Sequence, residues 1–145
     1  MGHRWRYLTV ILDPYSRRVL AWSLTRTRTA RVTCAVLSAA ARRRRGGRGV
    51  IFHSDRGSEY MGRRFCRHVV RLGLVQSASE RGPSDNAHME SFFHTLKAEL
   101  TRGVVFRDER QLRTAVRHYM RYYNTTRLHS SLNYRSPLAF EREAA

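Results

Sequence analysis

The sequence predicts a single mixed α/β domain. Two short apolar runs flank a turn near the amino terminus, apolar residues at helical spacing follow, and strand-like and helix-like segments then alternate toward the carboxyl end. Tyr7 to Leu12 and Val19 to Leu24 are apolar on both alternating faces, and the turn-forming Asp13-Pro14-Tyr15-Ser16 between them predicts a covered antiparallel hairpin. Trp5 and Trp22 are expected to pack in the core or against that hairpin.

Val32, Val36, Leu37 and Ala40 predict a helix from Thr29 to about Arg45, capped by Thr29 and stopped by Gly46-Gly47. Arg42 to Arg45 crown its carboxyl end, where cations favour the helix dipole. Val50 to His53 predicts a short buried strand, Phe65, Val69 and Leu72 one face of a helix ended by Gly73, and Leu74 to Ser77 another strand. A polar loop, Glu80 to Ser84, leads to Asp85 or Asn86 as cap of a helix. Its stripe of Met89, Phe93, Leu96 and Leu100 would pack on the sheet. Asp108 caps a last helix carrying Leu112, Val116, Tyr119 and Tyr123, before a tail around Pro137. The order is β-β-α-β-α-β-α-α, with residues 1–103 as the core and 104–145 as a helix and tail of the same domain.

With 145 residues and 41% apolar content, the chain is long enough for one real core. Its formal charge is +17, because 28 basic residues face 11 acids, and every base but Lys97 is arginine. GC-rich coding can exchange lysine for arginine, but that explains the residue choice and not the sign. So lopsided a charge destabilises a compact fold unless a counter-charge binds, and planar guanidinium groups suit phosphate, so a polyanionic partner is expected. No apolar stretch approaches the ~20 residues that span a bilayer, and no signal-peptide core opens the chain, which predicts a cytoplasmic protein without a membrane partner. Cys34 and Cys66 have no metal-binding or disulfide spacing and receive no function.

Two acids define the chemistry. Asp55 sits in His53-Ser54-Asp55-Arg56-Gly57-Ser58-Glu59-Tyr60 at the end of an apolar run, and Glu90 lies 35 positions on in Asp85-Asn86-Ala87-His88-Met89-Glu90-Ser91. A carboxylate at the carboxyl end of a strand and another in the first turns of a helix are placed as oxygen ligands of a hard divalent ion. Each also has an ordinary reading, a surface turn for Asp55 and helix-dipole stabilisation for Glu90. His94 and Lys97, four and seven residues after Glu90, share its face, which suits a metal that meets a phosphate. His53, Asp85 and Asn86 are candidates to orient a ligand through hydrogen bonds, with a structural histidine and a helix cap as the plainer roles. Arg56, Arg81, Arg121 and Arg127 adjoin motifs or loops and are candidate phosphate contacts. Asp13 also ends a strand, but before Pro14 it starts the hairpin turn instead of serving as a ligand.

These motifs join Trp5-Arg6-Tyr7-Leu8-Thr9-Val10-Ile11-Leu12-Asp13, Ser16-Arg17-Arg18 and a tail of Tyr123-Asn124, Arg127, His129, Tyr134-Arg135-Ser136-Pro137 and Phe140-Glu141. Together they resemble the catalytic core of bacterial insertion-sequence transposases of the Asp-Asp-Glu class, relatives of retroviral integrases. The resemblance implies an RNase H-like mixed sheet flanked by helices, with a C-terminal helical tail. It implies Asp55 and Glu90 as catalytic, metal-ligating residues for Mg2+, with Mn2+ as an alternative, and Lys97 as a contact to the transposon end. Strand transfer would proceed by attack of a 3′ hydroxyl on a phosphodiester, without a covalent protein intermediate. The implied partners are transposon and target DNA, together with a second copy or a full-length transposase.

Two departures from the family pattern shape the expectation. The chain begins after the strand that carries the family's first aspartate, usually in an Asp-x-Thr-Tyr setting, and the loop Glu80 to Ser84 is one residue short. That strand lies at the centre of the family's sheet, so the hairpin and the strand bearing Asp55 are expected to share no hydrogen-bond ladder. With Asp55 and Glu90 alone the chain is expected to hold metal weakly and to catalyse poorly or not at all. The alternative is a catalytically inactive DNA-binding remnant or regulator. A nuclease outside the transposases is a third reading, disfavoured by the tail.

Overall fold

The structure, a computed structural model, describes residues 5–45, 47–80 and 86–145. The chain forms two compact units, one of Met1–Ile11 and Leu20–Ala87 and the other of Leu12–Val19 and His88–Ala145.

Strands β1 (Tyr7–Leu12) and β2 (Val19–Thr25) pair with each other. Val10, Leu20 and Leu24 are buried, but Trp5 is 80% exposed, against the expectation of packing, because it precedes the first paired residue. Helix α1 (Ala30–Arg44) starts at Thr29, whose side chain accepts the Val32 N–H. Gly46, expected to help stop it, lies outside the described residues. Arg45 itself takes the left-handed conformation, φ 47°, and returns its N–H to the carbonyls of Ala41 and Arg42.

Strand β3 (Ile51–Ser54) pairs in parallel with β4 (Val75–Ala78), Ile51 opposite Val75 and His53 opposite Ser77. The expected burial of this strand is corrected: Ile51 is 67% exposed, because among the described residues β4 alone pairs with β3 and one face is uncovered. Phe52 turns inward to the cluster of Cys34, Leu37, Phe65 and Val69 contributed by α1 and α3 (Arg63–Arg71). Gly73, at φ 74°, ends α3: its N–H reaches the Val70 carbonyl and that of Leu74 reaches Val69, a pairing that needs the left-handed residue. A one-turn helix, α2 (Ser58–Met61), was not foreseen and lies between β3 and α3. Among the described residues the β1–β2 and β3–β4 sheets share no ladder, as expected.

In the second unit, α4 (Ala87–Leu96) runs into a π-helical turn at Lys97–Thr101. The stripe read from sequence is corrected in phase. Phe92 and Leu96 are the buried residues, Phe93 and Leu100 only partly so, and the partner is α5 (Glu109–Thr125), through a Phe92–Tyr123 ring contact at 5.0 Å. Asp108 caps α5 as expected, accepting the Gln111 N–H at 2.7 Å, and Val116, Tyr119, Met120 and Tyr123 form its buried side. The tail is helical, as the resemblance implied: after a 3-10 turn at Ser130–Leu132, Ser136 caps α6 (Pro137–Ala144). Phe140 packs edge-on against Tyr15 at 5.3 Å, while Glu141 accepts from Ser16 at 2.7 Å and Arg18 at 2.8 Å. Asn124 accepts the Val19 N–H at 2.8 Å and donates to its carbonyl at 2.9 Å.

Candidate metal and nucleic-acid site

Asp55 leaves the end of β3 with an exposed side chain, and its Oδ1 accepts the Gly57 N–H at 2.7 Å. Ser54 below it is buried and donates to the Asp55 carbonyl at 2.8 Å, so the turn is held from both sides. Gly57 leaves room for two carboxylates here, at an ordinary φ of −56°. A Cβ on it would lie 3.0 Å from Asp55 Oδ1 and 2.9 Å from Glu59 Oε2.

Glu59, in α2, is only 9% exposed. Its Oε1 faces Arg28 Nε at 3.4 Å, and its carbonyl accepts from Thr33 at 3.4 Å. Its Oε2 is buried without a hydrogen-bond partner. Arg28 also lies over the Tyr7 ring, 5.7 Å from the centroid. Burial, followed by the neighbouring Glu59 and Asp55 charges, pushes the Tyr60 hydroxyl up to about 12. Two carboxylate oxygens converging on one glycine, one of them orphaned, are hard donors of the kind a divalent ion takes, so the residues present fit such an ion. The sequence pointed to Asp55 alone. Glu59 went unnoticed because its burial depends on Arg28 and Thr33, distant in the chain.

His53 does not reach toward the acid. Its Nδ1 is 2.9 Å from Ser77 Oγ and its Nε2 3.1 Å from Ser79 Oγ, which ties β3 to β4. Arg56 donates from Nε to the Ser79 carbonyl at 2.8 Å. Asp85 and Arg81 lie outside the described residues, and Asn86 is half-buried just before α4.

Asp55 belongs to the first unit and Glu90 to the second. Glu90, His94 and Lys97 are all exposed along α4 and the first residue of the π-helical turn, and His88 contacts Arg17. Arg121 is exposed on α5. Arg127 is engaged by Glu99, which also accepts from the Tyr119 hydroxyl at 2.9 Å. Burial alone would raise the Glu99 carboxyl, but the hydrogen bonds from Arg127 and Tyr119 outweigh it and hold the group below its ordinary value. Burial first, then the Glu99 hydrogen bond, raises the Tyr119 hydroxyl. Beside them, burial and the charges of Arg127 and Arg17 lower His129 to about 4, and its Nε2 is buried without a partner. Asp13 accepts the N–H of Tyr15 at 2.8 Å and of Ser16 at 3.3 Å, the turn role expected of it. Both cysteines are free, and burial raises the Cys34 thiol. Among the described residues no helix is long and apolar enough to cross a membrane.

A family model described as integrase core domain matches residues 1–84, and a second so described matches residues 74–137. The transposase InsF for insertion sequence IS3A of Escherichia coli (strain K12) is 39% identical over 141 residues, 96% of this chain and 49% of that protein. The transposase for insertion sequence element IS904 of Lactococcus lactis subsp. lactis (strain IL1403) is 36% identical over 138 residues, 94% of this chain and 54% of that protein. The chain thus spans about half the length of these relatives. Two solved structures are similar in fold. The HTLV-2 integrase catalytic core domain in complex with magnesium matches 92% of this chain and 82% of its own at TM-score 0.68 and 16% identity. The catalytic core domain of BIV integrase matches 94% and 86% at TM-score 0.67 and 18% identity. The fold is therefore RNase H-like, as the motifs implied.

Proposed function

Because the chain belongs to the integrase core domain family, we propose that it serves DNA transposition as a strand-transfer core whose Asp55 and Glu90 hold divalent metal. The observation that carries this reading is the exposed Asp55 carboxylate, fixed at the end of β3 by Gly57 and Ser54. When bound, Mg2+ or Mn2+ would raise the nucleophilicity of a 3′ hydroxyl and neutralise the leaving oxygen. The chain's own part is to place carboxylates, bind phosphate and orient DNA. The exposed Lys97, His94 and Arg121 are its phosphate contacts in this reading, and the net charge of +17 supplies the long-range attraction. We infer transposon and target DNA as partners, with a second copy joining two ends.

The test is strand joining by the purified chain on labelled duplexes carrying element ends, with Mg2+ or Mn2+. Joining that disappears in Asp55→Asn and in Glu90→Gln, while salt-sensitive DNA binding persists, supports the enzyme. DNA binding without metal-dependent joining overturns it in favour of a DNA-binding regulator.

A further inference from the structure

We infer that Glu59 is a second carboxylate ligand of the divalent cation at Asp55, with Oε2 as the ligating atom. The inference rests on the reading of Asp55 as a metal ligand and adds a residue that the sequence motifs do not single out. Glu59 is the only buried acid among the described residues. A buried carboxylate is costly unless both oxygens are compensated. Here one oxygen has a loose 3.4 Å pair with Arg28, whose side chain is 59% exposed, and the other has nothing.

The orphaned oxygen is not aimed at random. Oε2 and Asp55 Oδ1 approach the Cβ-free side of Gly57 at 2.9 and 3.0 Å, which puts them no more than about 6 Å apart. A small rotation of either side chain brings both within the 2.0–2.6 Å bond lengths of about one Mg2+ or Ca2+ ion. The division of labour is complete: Oε1 serves Arg28, Oε2 serves the cation, and Thr33 tethers the Glu59 backbone to α1. A methyl group at position 57 would crowd both oxygens and push them away from the shared position.

The experiment is a Mn2+ titration of the intact purified chain, read by the electron paramagnetic resonance signal of free Mn2+ and by thermal unfolding with Mn2+ or EDTA. Glu59→Gln and Asp55→Asn are each expected to weaken Mn2+ binding by about ten- to a hundredfold. Gly57→Ala should do the same. In EDTA, Glu59→Gln should melt no lower than the parent chain, because the amide removes a buried charge. Arg28→Ala, which frees Oε1, should leave Mn2+ affinity undiminished. If Glu59→Gln binds Mn2+ as the parent does, or melts lower in EDTA together with Arg28→Ala, Glu59 is only the ion-pair partner of Arg28 and the inference is overturned. A parent chain that binds no Mn2+ overturns it as well. Mn2+ binding that needs Glu59 in a chain that joins no strands would leave this site standing and remove the proposed function. Joining that needs Asp55 but not Glu59 would do the reverse.

Discussion

Glu99 grips Arg127 with both carboxylate oxygens: Arg127 Nε lies 3.0 Å from Oε1 and 3.1 Å from Oε2, and its terminal nitrogen 2.9 Å from Oε1. The pair fastens the π-helical turn after α4 to the segment after α5, and Tyr119 closes it from a third side. A guanidinium named as a candidate phosphate contact is thus also tied to the turn that follows α4.

Arg127→Ala should therefore cost stability, by about 2 kcal/mol, the range of hydrogen bonds to charged groups. Urea unfolding checks this. Arg127→Lys should recover less than half, since an ammonium lacks the fork that meets both oxygens. The salt dependence of DNA binding should not change; a slope reduced by about one would mark Arg127 as a phosphate contact after all.

The neutral His129 gives a pH signature. Its ring titrates at about 4 in the folded chain and near 6.5 when unfolded, so on acidification the unfolded state takes up the proton first. Its contribution is complete above about pH 6.5 and is lost as pH falls toward about 4, with Glu99 adding a loss below its own ordinary value of 4.5. Melting temperatures across pH 7 to 4 should fall in that window. His129→Gln, which cannot charge, should flatten the upper part of the decline.

Asn124 imitates a strand. Its amide completes both backbone groups of Val19, a residue 2% exposed. Asn124→Ala orphans a buried donor and a buried acceptor, so about 2–4 kcal/mol should be lost. Asn124→Asp keeps the acceptor but not the donor, and should fall between. Equilibrium denaturation ranks the three.

The helix caps are worth less. Asp108→Ala and Ser136→Ala each remove the side-chain acceptor of a first-turn N–H, from Gln111 and Ala139 respectively, and should each cost about 1 kcal/mol. The two effects should add within about 0.5 kcal/mol if the caps act independently, which a double variant measures.

Elements set by local chemistry were legible in the sequence: the hairpin in its alternating apolar runs, α1 in Thr29, α5 in Asp108, and the end of α3 in Gly73. Helix α6 is legible too, since Ser136 before Pro137 is a cap followed by a first-turn proline. The π-helical turn left no signal, because it relaxes the backbone so that Glu99 reaches Tyr119 and Arg127, twenty and twenty-eight positions away. Asp55 could be read from its motif. Glu59 could not, because nothing local distinguishes a buried glutamate from a solvated one in a helix of four residues.

The uncovered face of β3 and β4 governs how the protein behaves in a tube. Ile51 and Val75 stand opposite each other, 67% and 51% exposed, on strands that pair only with one another among the described residues. Such an apolar face invites self-association, and what opposes it is mutual repulsion of chains each bearing +17. Added salt shrinks that repulsion to within about 8–10 Å of the surface. Concentrated stocks should therefore cloud as ionic strength rises and clear on dilution into low salt, the reverse of the habit by which basic proteins are stored in salt.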